Sequence, residues 1–349
     1  MRLSVSEHSP GVRRNLVVGA LSLGLVAALS GCGNTSGSAN AASETTPRIA
    51  YFMGERSNSY MSASLEGIEE VAKKYGGTVT AFDGNFDPAT QQAQIQDALA
   101  SGKFNAFIVG PVNNTALVPV LEDAIGQGIK VASNGFPLGP DIGTNKAQLQ
   151  GQVMSAVGSS TRYGELIGTA TGEACANKNP CKVVYMSGDP KIAFEKIKFE
   201  SFEKAINGFK NIEVVTRVQS EYLADPARQV MQDVLQSHPD IDVVASNGDQ
   251  MADGAAQAGT AGGGHFVVIG QGASDIAYKG VQSGKWYASA IGLPKDEGVL
   301  TAEAVAKALK GEDVSPDFAD PAAVAGYTKG LLTKEFIEQH PDFKPQWSG

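Results

Sequence analysis

The chain has 349 residues, 42% of them hydrophobic and 19% charged, enough apolar material for about two packed domains and too much for wholesale disorder. Its formal charge of −9 argues against a nucleic-acid binder, which would present a basic face.

The first segment reads as an export signal, removed from the fold. Arg13-Arg14 precede the apolar run "NLVVGALSLGLVAALS", followed by the small residues of "LSGC", Leu29 to Cys32. The apolar run is shorter than the ~20 residues that span a bilayer. "LSGC" resembles a bacterial lipobox, so residues 1–31 are expected to be a signal peptide and Cys32 the lipidated anchor. The arginine pair is too weak a signal to choose between twin-arginine and general export. Residues 32–46 form a Gly/Ser/Ala/Thr-rich tether without apolar periodicity.

From Pro47 onward one plan occurs twice. Short apolar runs begin near Ile49, Val79, Ala106 and Val131, and again near Val183, Val214, Val243 and Val267. The spacing suits a strand plus a crossover helix, and near-continuous apolar runs suit parallel strands covered on both faces. Ser57 or Asn58 can cap a helix carrying Leu65, Ile68 and Val71, which ends at Gly76-Gly77. Asp87-Pro88 and Asp225-Pro226 both read as a cap followed by proline at the first helical position. The expectation is an α/β protein of two doubly wound parallel-sheet lobes joined by a hinge of several crossings. Lobe I takes residues 47–155, with 293–325 returning to it. Lobe II takes residues 156–292, with 326–349 returning to it.

Cys175 and Cys181 bracket a polar loop, and in an exported protein they are expected to form a disulfide. The four histidines show no ligand spacing, so no metal is expected. "VIGQGASD", Val268 to Asp275, lacks the third glycine of a dinucleotide loop and follows the eighth strand rather than the first. No nucleophile elbow, phosphate loop or histidine occupies a strand end. No cofactor and no enzymatic activity are expected. Ligands of open α/β sheets sit beyond the strands' C-terminal ends, and those ends hold asparagines, aromatics and glycines, as suits a solute catcher.

These segments resemble the ribose-binding-type (type I) periplasmic binding proteins, the substrate-binding lipoproteins of ABC importers. The likeness runs from Pro47 to Phe343 and rests on "RIAYFMGERSNSYMSASLEGIEEVAKKYG", on "DPATQQAQIQDALASGKFNAFIVGPVNNTALVPVLEDAIGQGIKV", on "VVASNGDQMADGA" and on "VVIGQGASD". It implies a monomeric, lipid-anchored protein on the outer face of the cytoplasmic membrane. Such a protein closes on a sugar, polyol or sugar derivative and delivers it to a membrane permease. Residue by residue it implies ligand contacts from Asn58, Tyr60 and Met61, Lys198, Tyr222, and Asn247 or its neighbour Gly248. Where the family has Asp-Arg, this chain has Asn134-Gly135-Phe136; where it has a second Asp, Gly272; where it has Gln, Gly292. Three polar grips are thus glycines, which would widen the cleft and leave sugar hydroxyls unpaired. Either Asn134, Asp249 and Gln271 hold the ligand instead, or the ligand is less hydroxylated, an aromatic or a carboxylate facing Lys198. Phe136 suits cleft or core, Asp249 ligand or helix cap, and Lys198 ligand or solvated face. A sensory protein presenting its ligand to a membrane receptor is the competing role.

Overall fold

The computed structural model describes residues 45–189 and 192–349. The signal segment, Cys32 and nearly all of the tether lie outside them.

The first sheet is built from β1 (Arg48–Met53), β2 (Thr78–Asp83), β3 (Ala106–Val109), β4 (Lys130–Asn134) and β5 (Met154–Ala156), with α1 (Ser59–Lys74), α2 (Pro88–Ser101) and α3 (Val118–Gly126) as crossovers. The chain then passes to a second body. There α4 (Ser160–Ala174), α5 (Ala193–Ile206), α6 (Ala224–Ser237), α7 (Asp249–Gly262) and α8 (Asp275–Ser283) surround β6 (Cys181–Ser187), β7 (Ile212–Gln219), β8 (Val243–Ser246), β9 (Val267–Gln271) and β10 (Trp286–Ala290). It returns as α9 (Pro294–Leu309), β11 (Phe318–Ala319) and α10 (Pro321–Val324), and ends in the second body with β12 (Leu331–Leu332) and α11 (Lys334–Gln339).

Strand order is β2-β1-β3-β4-β5-β11 in one sheet and β7-β6-β8-β9-β10-β12 in the other. All neighbouring pairs are parallel except β10 with β12. Two doubly wound α/β lobes result, and the chain passes between them three times. The apolar strands explain this placement. Ile49 to Met53 and Ala106 to Val109 are essentially inaccessible, because helices cover both faces and parallel sheets are stable only when so covered. Tyr51 and Met53 pack with Ile68, Val71, Ala302 and Val305 on one face of the first sheet. Phe52 and Phe107 pack with Ile95, Leu117 and Leu121 on the other.

The caps mostly follow the sequence. Asn58 caps α1, accepting from the Tyr60 and Met61 amides. Asp87 caps α2 ahead of Pro88, accepting from Thr90 N. Asp225 does not cap: α6 begins two residues earlier than expected, at Ala224 after Leu223, leaving Asp225 in the first turn beside Arg228. Helix α9 starts at Pro294, since proline suits a first helical turn. Cys175, the C-cap of α4, is joined by a disulfide to Cys181, which opens β6.

One glycine bears directly on the site. A side chain at Gly298 would begin 2.1 Å from the Ser64 carbonyl, so only glycine lets α9 lie this close to α1. That approach carries the neighbouring Glu297 into the space between the lobes.

Candidate functional site

The C-terminal ends of both sheets converge on a cavity of about 90 Å³, several times the space one water requires. The first lobe supplies Asn58, Tyr60, Met61, Asn134 and Phe136 to its wall; the second supplies Lys198, Tyr222, Asn247 and Gln271.

Capping aims the first loop. Asn58 Oδ1 accepts from Tyr60 N at 3.0 Å and Met61 N at 3.3 Å, which fixes the start of α1 and turns the Tyr60 ring to the cleft. Tyr60 Oη donates to Glu297 Oε1 at 2.8 Å. Asn134, the last residue of β4, accepts from Tyr51 Oη at 3.2 Å. Phe136, which suited cleft or core, faces the cleft and stacks on Phe194 of α5 at 4.1 Å and 9°. This ring pair joins the lobes.

The second lobe holds a buried ion pair. Lys198 Nζ lies 3.6 Å from Glu195 Oε1, both side chains at most 2% exposed. Glu195 also accepts from Tyr222 Oη and, at 2.6 Å, from Asn247 Nδ2, while Asn247 Oδ1 accepts from Tyr185 Oη at 3.0 Å. Tyr222 sits at φ +59° directly after Glu221 at +54°, an uncommon left-handed pair for side chains of this size. The ammonium of Lys198 lies 5.1 Å from the Phe194 centroid and 5.9 Å from those of Tyr163 and Tyr222. Burial pushes its pKa down, against the pull of Glu195. Lys198 is therefore not on a solvated face, and its charge is already answered.

Two predicted positions do not line the cavity. Asp249 stands in the first turn of α7, fully buried, accepting from Ser274 N at 2.7 Å and Ser289 Oγ at 2.8 Å. It fastens the loop after β9 to β10, and burial raises its carboxyl to about 6 despite those donors. Gly272 is covered. Trp347, far downstream, lays its indole where a side chain would begin, 2.2 Å from the ideal Cβ, and Nε1 donates to the Gly272 carbonyl at 2.7 Å. Gly272 has φ +130°, a backbone reserved for glycine. Gly292 is likewise filled, with Tyr60 Oη 3.0 Å from its ideal Cβ. These two glycines admit neighbouring rings and do not widen the cleft. Gly135 alone of the three is not filled by a ring: Glu297 Oε2 lies 3.5 Å from its ideal Cβ, an ordinary contact distance.

Sequence reasoning missed Glu195, Phe194, Glu297, Tyr163 and Trp347. Glu195 and Lys198 share a face at i, i+3, which was a readable signal. Glu297 is 1% exposed, and its carboxyl is raised to about 8, first by burial and then by Asp320 and Asp296, against the Tyr60 hydrogen bond. Three buried polar atoms of the wall have no protein partner among the described residues: Asn134 Nδ2, Gln271 Oε1 and Glu297 Oε2. Buried polar groups are almost always paired, so unpaired ones in a cavity wall mark where a bound molecule makes its hydrogen bonds. No cluster of His, Cys, Asp and Glu among the described residues suits a metal.

Two lobes closing on an aromatic wall with unmet polar atoms define a solute-binding protein. The periplasmic binding protein domain model matches residues 49–313, and the chain belongs to that family, whose members bind solutes and are not enzymes. The chain is similar to the ribose import binding protein RbsB of Salmonella typhimurium, with 28% identity over 284 residues, 80% of this chain and 90% of the relative. A solved solute-binding protein of Mycobacterium smegmatis with bound glycerol shares the fold at TM-score 0.73 and 24% identity, covering 87% of this chain and 99% of that one. One from Bacillus halodurans with bound myo-inositol does so at TM-score 0.72 and 20% identity, covering 85% and 98%. Among the described residues no helix is long and apolar enough to cross a membrane.

Proposed function

We propose that the protein captures a small polyhydroxylated solute, a sugar, polyol or sugar derivative, outside the cytoplasm and delivers it to an ABC permease. The observation that carries this reading is the set of unpaired atoms at Asn134, Gln271 and Glu297, framed by the rings of Tyr60, Phe136 and Trp347. Amides and a carboxyl serve hydroxyl groups, and rings cover the apolar faces between them. The named solutes of similar proteins agree in kind: ribose, D-apiose, D-allose and myo-inositol. Closure about the three crossings lets one solute touch both lobes, so ligand favours the closed state. Titration calorimetry and thermal shift with these four solutes and glycerol test the reading. A rise in Tm that grows with solute concentration is expected, and the absence of heat and shift throughout the panel would overturn it.

The export segment completes the reading. Cys32 carries the lipid, residues 32–46 tether the body, and the protein acts as a monomer at the outer face of the cytoplasmic membrane. Cys32→Ser is expected to move the protein from the membrane to the soluble fraction of a cell lysate; unchanged membrane retention would show that Cys32 is not the anchor.

A further inference from the structure

Glu297 has more hydrogen-bonding capacity than its neighbours use, and no positive charge beside it. Oε1 takes the Tyr60 hydroxyl at 2.8 Å. Oε2 has no partner among the described residues and faces the bare backbone of Gly135. The charged groups bearing on this carboxyl are Asp296 on its own helix and Asp320 at the start of α10, both acidic. The titratable groups around it from the other elements are the phenols of Tyr51 in β1, Tyr60 in α1 and Tyr163 in α4. Lys198 is the one buried cation among the described residues, and it is paired with Glu195. Lys295 turns outward to Glu70 at 2.8 Å. Within the cavity Glu195 and Lys198 cancel, and Glu297 is left over. A buried carboxyl without a cation stays neutral or waits for one. The rings of Tyr60 and Trp347, 5.2 Å apart and edge-on, add faces that attract positive charge.

We propose that the solute carries a protonated amine, as an amino sugar or amino polyol does, whose ammonium docks on Glu297 Oε2, and that the same cleft turns away carboxylated sugars. The proposal rests on the polyol reading above and narrows it. Burial keeps unliganded Glu297 mostly protonated at neutral pH. Docking an ammonium ionises it, so the carboxyl proton leaves to the buffer as the ion pair forms. A carboxylate ligand is disfavoured, because Glu195 already answers Lys198 and no second buried cation stands among the described residues to take an anion.

The test is calorimetry at pH 7 with matched pairs: D-glucosamine and D-glucose, 1-amino-1-deoxy-D-sorbitol and D-sorbitol, serinol and glycerol, with D-glucuronate as the anion. Each is run in phosphate and in Tris, whose ionisation heats differ. In at least one pair the amine is expected to bind about tenfold tighter than its hydroxyl parent, as a charge-assisted contact allows. The heats should report release of about one proton. Glu297→Gln, which keeps an acceptor for Tyr60, should bring the amine preference near unity and abolish the buffer dependence. Hydroxyl parents that bind as well as their amines would overturn the amine proposal and leave the polyol reading standing. So would an amine preference that survives Glu297→Gln. If no member binds and the panel of neutral solutes also fails, both readings fall together.

Discussion

Trp347→Ala is expected to cost about 3–5 kcal/mol of stability in denaturant unfolding, the usual range for deleting a buried aromatic. The side chain is 7% exposed, and it does three things at once. Its ring fills the space over Gly272, its Nε1 serves the Gly272 carbonyl at 2.7 Å, and its edge meets the Tyr60 ring at 5.2 Å. The surrounding backbone is held from both lobes. Asp275 N and Ile276 N of α8 donate to the carbonyls of Trp347 and Ser348, at 3.0 and 3.2 Å. Asp296 N of α9 donates to Gln346 Oε1 at 3.2 Å, and Ser59 Oγ of α1 to the Gly349 carbonyl at 3.1 Å. Losing the ring leaves that strap without its anchor and opens one wall of the cavity, so solute affinity should fall with stability. Gly272→Asp supplies the control. In the native background the new side chain meets Trp347 at 2.2 Å on a positive-φ backbone. With Trp347→Ala beside it, only the backbone strain remains. The double-mutant cycle should therefore show a coupling of at least about 1 kcal/mol. Additive losses would mean that Trp347 does not occupy the space of that missing side chain.

The second large effect is a pH dependence belonging to one group. Glu297 moves from 4.5 to about 8 on folding, with burial as the main cause. The folded protein therefore holds this proton more tightly than the unfolded chain does. Its stabilising share is complete below pH 4.5 and is withdrawn as pH rises through about 8. At 1.36 kcal/mol per pKa unit the whole span is on the order of 5 kcal/mol. Other groups titrate as well, among them Asp249, so the measurement is a difference. Unfolding free energies of the native chain and Glu297→Gln are compared from pH 4 to pH 9 in the absence of solute. The native chain should lose ground steadily against the variant between about pH 5 and pH 8. Parallel curves would mean that Glu297 is ionised, and therefore paired, already in the empty cleft.

The repeat of strand and helix was legible because burial on both faces forces continuous apolar runs in inner strands such as β1, β3 and β8, while the half-exposed edge strands β2 and β7 keep enough β-branched residues to show at the same spacing. The strands β11 and β12 were not legible. Each has two residues, too few for any period to show. Strand ends located the cleft, since the order β2-β1-β3 places them at the point where the winding reverses. Tyr60, Asn134 and Asn247 could thus be named from the sequence and do stand together. Asp249 misled because a polar residue after a strand serves equally to bind a ligand or to tie two loops, and the partners that decide, Ser274 and Ser289, lie 25 and 40 residues away. Gly272 misled for a related reason. An absent side chain reads as empty space, yet the occupant comes from Trp347, 75 residues downstream. Glu297 was hidden inside an ordinary acidic first turn, and only the close approach at Gly298 turns it inward.

The stack of Phe136 on Phe194 also bears on unloading. The two rings belong to opposite lobes and lie 4.1 Å apart, and such a pair contributes roughly 0.5–1.5 kcal/mol beyond its buried area. Parting the lobes therefore begins by separating two side chains that belong to the protein itself. That first cost is the same whatever solute sits behind them, so cargoes held with different strengths leave through one shared gate.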